Sequence, residues 1–71
     1  MKRTAIISKE ILSVGYDAET QVLEIEFNDK SVYQFVRVTA EVYASFMRTE
    51  AKQEYFDTEI RDKYANQCVS L

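Results

Sequence analysis

Apolar and polar residues alternate with a period of two through the first half of the chain and with a helical period through the second. Leu12, Val14 and Tyr16 alternate with Ser13 and Gly15, and Asp17-Ala18-Glu19-Thr20 then supplies a polar turn. In Leu23-Glu24-Ile25-Glu26-Phe27 the apolar residues take one face and the two glutamates the other. Asn28-Asp29-Lys30-Ser31 carries turn chemistry, and Val32 to Val38 is rich in β-branched and aromatic residues. The pattern predicts a three-stranded antiparallel meander.

After Val38 the period changes. Thr39 reads as an N-cap, Glu41 lies at the positive end of a helix dipole, and Val42, Tyr43, Phe46 and Met47 share one helical face. The stripe lapses over Glu50-Ala51-Lys52-Gln53 and resumes at Tyr55, Phe56, Ile60 and Tyr64, with Glu59 and Lys63 a favourable i,i+4 pair. A second helix is expected over roughly 52–64; with no glycine or proline at the junction, one bent continuous helix is the alternative. Residues 65–71 show no period and are expected to be loosely held. Strands followed by helices predict an α+β fold, a three-stranded antiparallel meander with two C-terminal helices packed on one face. The other face, carrying Glu24 and Glu26, is expected to be open and acidic, a natural place for a partner.

The register of the second hairpin decides where two aromatics go. A three-residue Asn28-Asp29-Lys30 loop with a bulge pairs Ile25 with Tyr33 and Leu23 with Phe35, sending both rings to the core; a two-residue Asp29-Lys30 loop would put them on the open face. Burying a phenylalanine-sized side chain contributes about 1.5–3 kcal/mol, against a total stability of roughly 4–11 kcal/mol for a chain of this size. The three-residue loop is therefore expected.

At 71 residues the chain is a single domain, 1–71, with 46% apolar, 13% aromatic and 30% charged residues, the composition of a folded soluble domain. There is no histidine, which removes the commonest general base and metal ligand. One cysteine, Cys68, allows no internal disulfide or multi-cysteine zinc site and fits a reducing, cytoplasmic setting. No cofactor or metal is expected. The apolar run at Ala5-Ile6-Ile7 is too short for a signal peptide or a spanning helix, so no membrane contact is expected. A net charge of −3 works against non-specific phosphate binding. Gly15, the only glycine, fits a bulge or a close approach of strands.

Ile11-Leu12-Ser13-Val14-Gly15-Tyr16-Asp17, Leu23 to Phe27, Val32-Tyr33-Gln34-Phe35, Val42-Tyr43 with Phe46-Met47, and Tyr55-Phe56 with Ile60-Arg61 and Tyr64 together resemble the KTSC domain over about residues 8–64. That family is named for the C-terminal extension of some lysyl-tRNA synthetases and also occurs as free-standing small proteins. The resemblance implies a module with no established activity, for which RNA binding has been suggested, and a central Tyr-x-Tyr motif that maps here onto Tyr33-Gln34-Phe35. Departures are Lys30 where a hairpin glycine is common, Thr39 where proline often opens the helix, and Ala51-Lys52-Gln53 at a junction that usually holds a glycine.

RNA recognition needs stacking surface and cations that reach phosphate. The candidate residues are Tyr33 and Phe35 as stackers, with Arg37, Lys52, Arg61, Lys63 and Tyr64 around them, and the partner would be RNA or tRNA held by a local basic patch. Each has a structural alternative: the two aromatics as core, Arg48 and Lys52 as neighbours on a solvated face, Arg61 in an ion pair. Glu24 and Glu26 lack the desolvated cleft that acid–base catalysis requires, so no enzymatic activity is expected. The competing readings are a protein-interaction element, self-associating through its exposed sheet edge and face or acting as a small adaptor or inhibitor, and a small nucleotide or metabolite binder using Arg61 and Tyr64.

Overall fold

A computed structural model describes residues 3–6 and 8–70. Five strands form one antiparallel sheet in sequence order: β1 (Arg3–Ala5), β2 (Ile11–Asp17), β3 (Val22–Phe27), β4 (Val32–Phe35) and β5 (Asn66–Ser70). Between β4 and β5 come α1 (Ala40–Arg48) and α2 (Lys52–Tyr55), the latter running directly into a π-helical turn, Phe56–Ile60. The predicted meander is the middle of this sheet, and a strand is added at each edge.

Both hairpins of the meander, β2–β3 and β3–β4, close through aspartate. Asp17 accepts the Glu19 N–H at 3.0 Å, and Asp29 accepts the Ser31 N–H at 2.9 Å, each holding the chain in a turn. In the second hairpin the Lys30 N–H donates to the Phe27 carbonyl and the Phe27 N–H to the Ser31 carbonyl, both at 2.9 Å. Lys30 takes the left-handed conformation at φ 74°. This is the three-residue loop, and Ile25 pairs with Tyr33 and Leu23 with Phe35, the expected register.

The core lies between the sheet and the helices, built from Val14, Leu23, Ile25 and Phe35 on the strands and Phe46, Phe56 and Ile60 on the helical segments. Thr39 caps α1, its hydroxyl accepting the Val42 N–H at 3.4 Å. Tyr16 stacks on Tyr43 with ring centroids 4.5 Å apart and donates its hydroxyl to the Val38 carbonyl at 2.6 Å, fastening α1 to β2.

The helical region is two elements, as expected, and not the single bent helix of the alternative, because Thr49 leaves the helical conformation at ψ 144° and its side chain accepts the Ala51 N–H. Three expectations are corrected. The second helical element ends at Ile60 and not at 64, closing with a π turn in which the Arg61 N–H reaches back to the Phe56 carbonyl at 2.8 Å. Residues 66–70 are paired as β5, with Tyr33 opposite Cys68 and Phe35 opposite Asn66. Gly15 lies inside β2 and at no bulge; the irregularity in that strand falls between Ile11 and Ser13.

The open sheet face also differs from expectation. Gly15 faces Arg3 on one side and Glu24 on the other, and the Arg3 guanidinium crosses above it to Glu24 at 2.7 Å and to Glu26 at 3.4 Å. Gln34 donates to Glu24 at 3.0 Å and Ser13 to Glu26 at 2.9 Å. A Cβ substituent at position 15 would stand in the path of that bridge, which accounts for the glycine. The two carboxylates are therefore matched by a cation and donors, and the face is a closed polar network rather than an acidic patch.

Candidate functional site

A cleft of about 470 Å³ opens where the β3–β4 hairpin, the start of β2, the edge of β4 and β5 and the second helical element meet. Pockets that hold small ligands occupy about 300–1,000 Å³ and combine aromatic lining with a few polar groups, and this cleft has both. Its aromatic lining is Phe27, Tyr33, Phe35 and Phe56. Phe35 and Phe56 are buried and form the floor, while Phe27 and Tyr33 are half-exposed and form the walls. Period-two alternation in β3 and β4 sends Phe27, Tyr33 and Phe35 to the same side of the sheet, and the π turn brings Phe56 over them.

The rings do not lie parallel. Phe27 and Tyr33 meet at 80° with centroids 5.8 Å apart, Phe27 and Phe56 at 65° and 5.5 Å, and Phe35 and Phe56 at 85° and 5.5 Å. Edge-to-face packing stabilises the arrangement and builds a corner of ring faces and edges.

The rim is polar. Glu10, Asn28, Asp29 and Ser31 stand on the hairpin side, and Gln53, Arg61 and Asn66 on the helix and β5 side. The hairpin side is rigidly built: the Asn28 N–H donates to the Glu10 carbonyl at 2.8 Å and its side-chain amide to the Lys9 carbonyl at 2.6 Å. Hydrogen bonds from the Ser31 hydroxyl and N–H hold the Asp29 carboxyl below its ordinary range, outweighing desolvation. Both bonds fall on one oxygen, Oδ1. Arg61 makes a long, exposed ion pair of 3.5 Å with Asp57. Gln53 donates to Asp57 at 3.3 Å, and its carbonyl oxygen is buried with no partner among the described residues.

Of the residues singled out in the sequence, Tyr33, Phe35 and Arg61 come together at this cleft. Phe35 is corrected from a stacking residue to floor and core: it is 3% exposed and packs edge-on against Phe56. The remaining residues form no common patch with them. Lys52 is on a different helix from Arg48, and its ammonium donates to the carbonyls of Met47 and Thr49 at 3.0 and 2.6 Å, closing the C-terminal end of α1. Lys63 pairs with Glu59 at 3.1 Å, as the i,i+4 spacing predicts. Tyr64 packs half-buried against the core and does not line the cleft. Arg37 is exposed in the loop after β4, held at φ 62°. Sequence reasoning missed Glu10, Asp29, Gln53 and Asn66; each sits in a segment with turn or helix chemistry of its own, and only the fold brings them to the aromatic rings.

Among the described residues, no helix is long and apolar enough to cross a membrane. A family model described as the KTSC domain matches residues 7–64. The chain is similar to an uncharacterized protein of Stutzerimonas stutzeri (strain A1501), 35% identical over 57 residues that cover 80% of each chain. It is also similar to the crystal structure of a KTSC domain protein from Yersinia pestis, with a TM-score of 0.92 and 32% identity over 96% of each chain.

Proposed function

The chain belongs to the KTSC domain family, and from that premise we propose that it is a non-catalytic binding module that works through the cleft beside Tyr33. The observation that carries this reading is the convergence of four aromatic rings and a polar rim on one opening of about 470 Å³. The non-catalytic part is supported by the state of the carboxylates. Glu24 is pulled in opposite directions, upward by desolvation and downward by the Gln34 and Arg3 hydrogen bonds and the Arg3 charge, and the downward group prevails. It is thereby held as an anion, unlike the raised carboxyl of a general acid.

Single-stranded RNA is a second reading, favoured by Tyr33 and Arg61 lining the same cleft. Lys52 and Lys63, committed to internal contacts, supply little to it. NMR titration of the labelled protein with mononucleotides, single-stranded RNA, tRNA and short peptides tests both. Chemical-shift changes confined to the residues lining the cleft are expected. Ligands that bind only on the Arg3–Glu24 face or on α1 would overturn the assignment, and an RNA affinity that falls steeply with salt would mark phosphate contact.

A further inference from the structure

We propose that the cleft receives the cationic side chain, arginine or lysine, of a basic peptide segment, with the aliphatic stem against Phe27 and Tyr33 and the charged head beside Glu10 and Asp29. The inference rests on the reading that the cleft is the binding site, and it names the occupant.

Three observations select a cation over a flat neutral ring. First, the two accessible walls, Phe27 and Tyr33, stand at 80° to each other. A planar base sandwiched between rings needs them parallel; an edge-to-face pair offers no such slot, whereas a rod-like cation needs only one exposed ring face, to which it is attracted. Second, the charged groups lining the cleft are Glu10, Asp29 and Arg61, and Arg61 already faces the Asp57 carboxylate at 3.5 Å. The two carboxylates on the hairpin side have no such counterion: neither makes an ion pair among the described residues. Lys9 and Lys30 adjoin them in sequence but do not line the cleft. Third, the whole chain carries a net charge of −3, so a basic segment is drawn to it and a polyanion is repelled.

The geometry also sets the depth. Phe35 and Phe56, both buried, form the floor on which the tip of an entering side chain would rest. Long basic side chains bury their methylene stems on apolar surface while the charged end stays wet, which matches aromatic walls under a carboxylate rim. Ser31 donates twice to Oδ1 of Asp29, so a cation would be taken by Oδ2. Arginine is favoured over lysine, since its planar guanidinium stacks on one ring face and still bonds a carboxylate at its edge.

The test is an NMR titration of the intact chain with an acetylated, amidated peptide Gly-Ser-Arg-Ser-Gly and with the same peptide carrying citrulline, the uncharged isostere of arginine. The arginine peptide is expected to shift the amide resonances of residues 27–33 and to bind at least about tenfold more tightly than the citrulline peptide. The double variant Glu10→Gln, Asp29→Asn is expected to lose that preference while keeping the dispersion of a folded spectrum, because asparagine still offers an acceptor to Ser31. Equal affinity for the two peptides, or shifts on the opposite sheet face, would overturn the proposal. Nucleotides or single-stranded RNA moving the cleft resonances when neither peptide does would remove the cation and leave the cleft standing; no ligand moving them would remove both.

Discussion

Replacing Lys30 by glycine is expected to stabilise the protein. Lys30 sits at φ 74° at the end of the β3–β4 loop, where a side chain crowds the backbone at a cost of roughly 1–2 kcal/mol. Glycine removes that cost but gives part of it back, about 0.4–1 kcal/mol, through the greater freedom of the unfolded chain. The net gain is about 0–1.6 kcal/mol, with a midpoint of about 0.8. For a domain of this size, 1 kcal/mol moves the melting temperature by about 4–8 °C, so a rise of roughly 3–6 °C is expected at that midpoint. The lysine head contributes nothing to offset this, since among the described residues it makes no hydrogen bond or ion pair. Lys30→Ala serves as control: it removes the same head but keeps a Cβ in the left-handed conformation. Urea unfolding followed by far-ultraviolet circular dichroism gives both stabilities, and an unchanged m-value certifies that the unfolded state is comparable. A glycine variant no more stable than the alanine variant would refute the reasoning, because backbone strain would then not be the term that matters at this position.

Further outcomes follow from other contacts. Gly15→Val should cost about 1–3 kcal/mol by obstructing the Arg3–Glu24 bridge, and amide exchange of residues 4 and 5 should accelerate more than that of β3. Phe46→Ala, at a fully buried site, should cost about 3–5 kcal/mol, leaving the chain largely unfolded if its stability lies at the lower end of the range; circular dichroism at 25 °C decides it. Gln53→Met should stabilise by about 1 kcal/mol, since it removes the orphaned buried carbonyl, with urea midpoints as the measure. Glu24, held below its ordinary value of 4.5, contributes stability that is complete above that pH and lost as the pH falls through its lower folded value. Glu24→Gln should flatten the decline in stability below about pH 4.5, and a variant as acid-sensitive as the parent would exclude that source.

The central strands were legible because each has an apolar side to bury: Leu23, Ile25 and Phe27 announce β3, and the same faces fix its pairing with Tyr33 and Phe35. The edge strands lack that signal. Arg3, Thr4 and Ala5 are all exposed, as are residues 66–69, so the edges are held by backbone ladders, with the Arg3 bridge added at β1, and these leave no periodic trace. The break between the helices was legible from the lapse of the apolar stripe at residues 50–53, but the contact that makes it was not. In place of glycine or proline, Lys52 closes the end of α1 by donating to its carbonyls, and no local pattern marks a lysine for that task. Thr39, by contrast, was readable as a cap because a hydroxyl before an apolar stripe has few other uses. Of the cleft, the rings of β3 and β4 could be foreseen as neighbours; the rim, drawn from positions 10 to 66, could not.

The strictly sequential order of the strands also governs how this domain can be joined to others. Because β1 and β5 form opposite margins of the sheet, these two strands lie four inter-strand spacings apart, about 19 Å at ~4.8 Å each. Serial fusion, one domain after the next, leaves both margins undistorted. Grafting the domain into a host's surface loop, or splicing its ends together in a permuted chain, would instead require a connector long enough to cross the full breadth of the sheet.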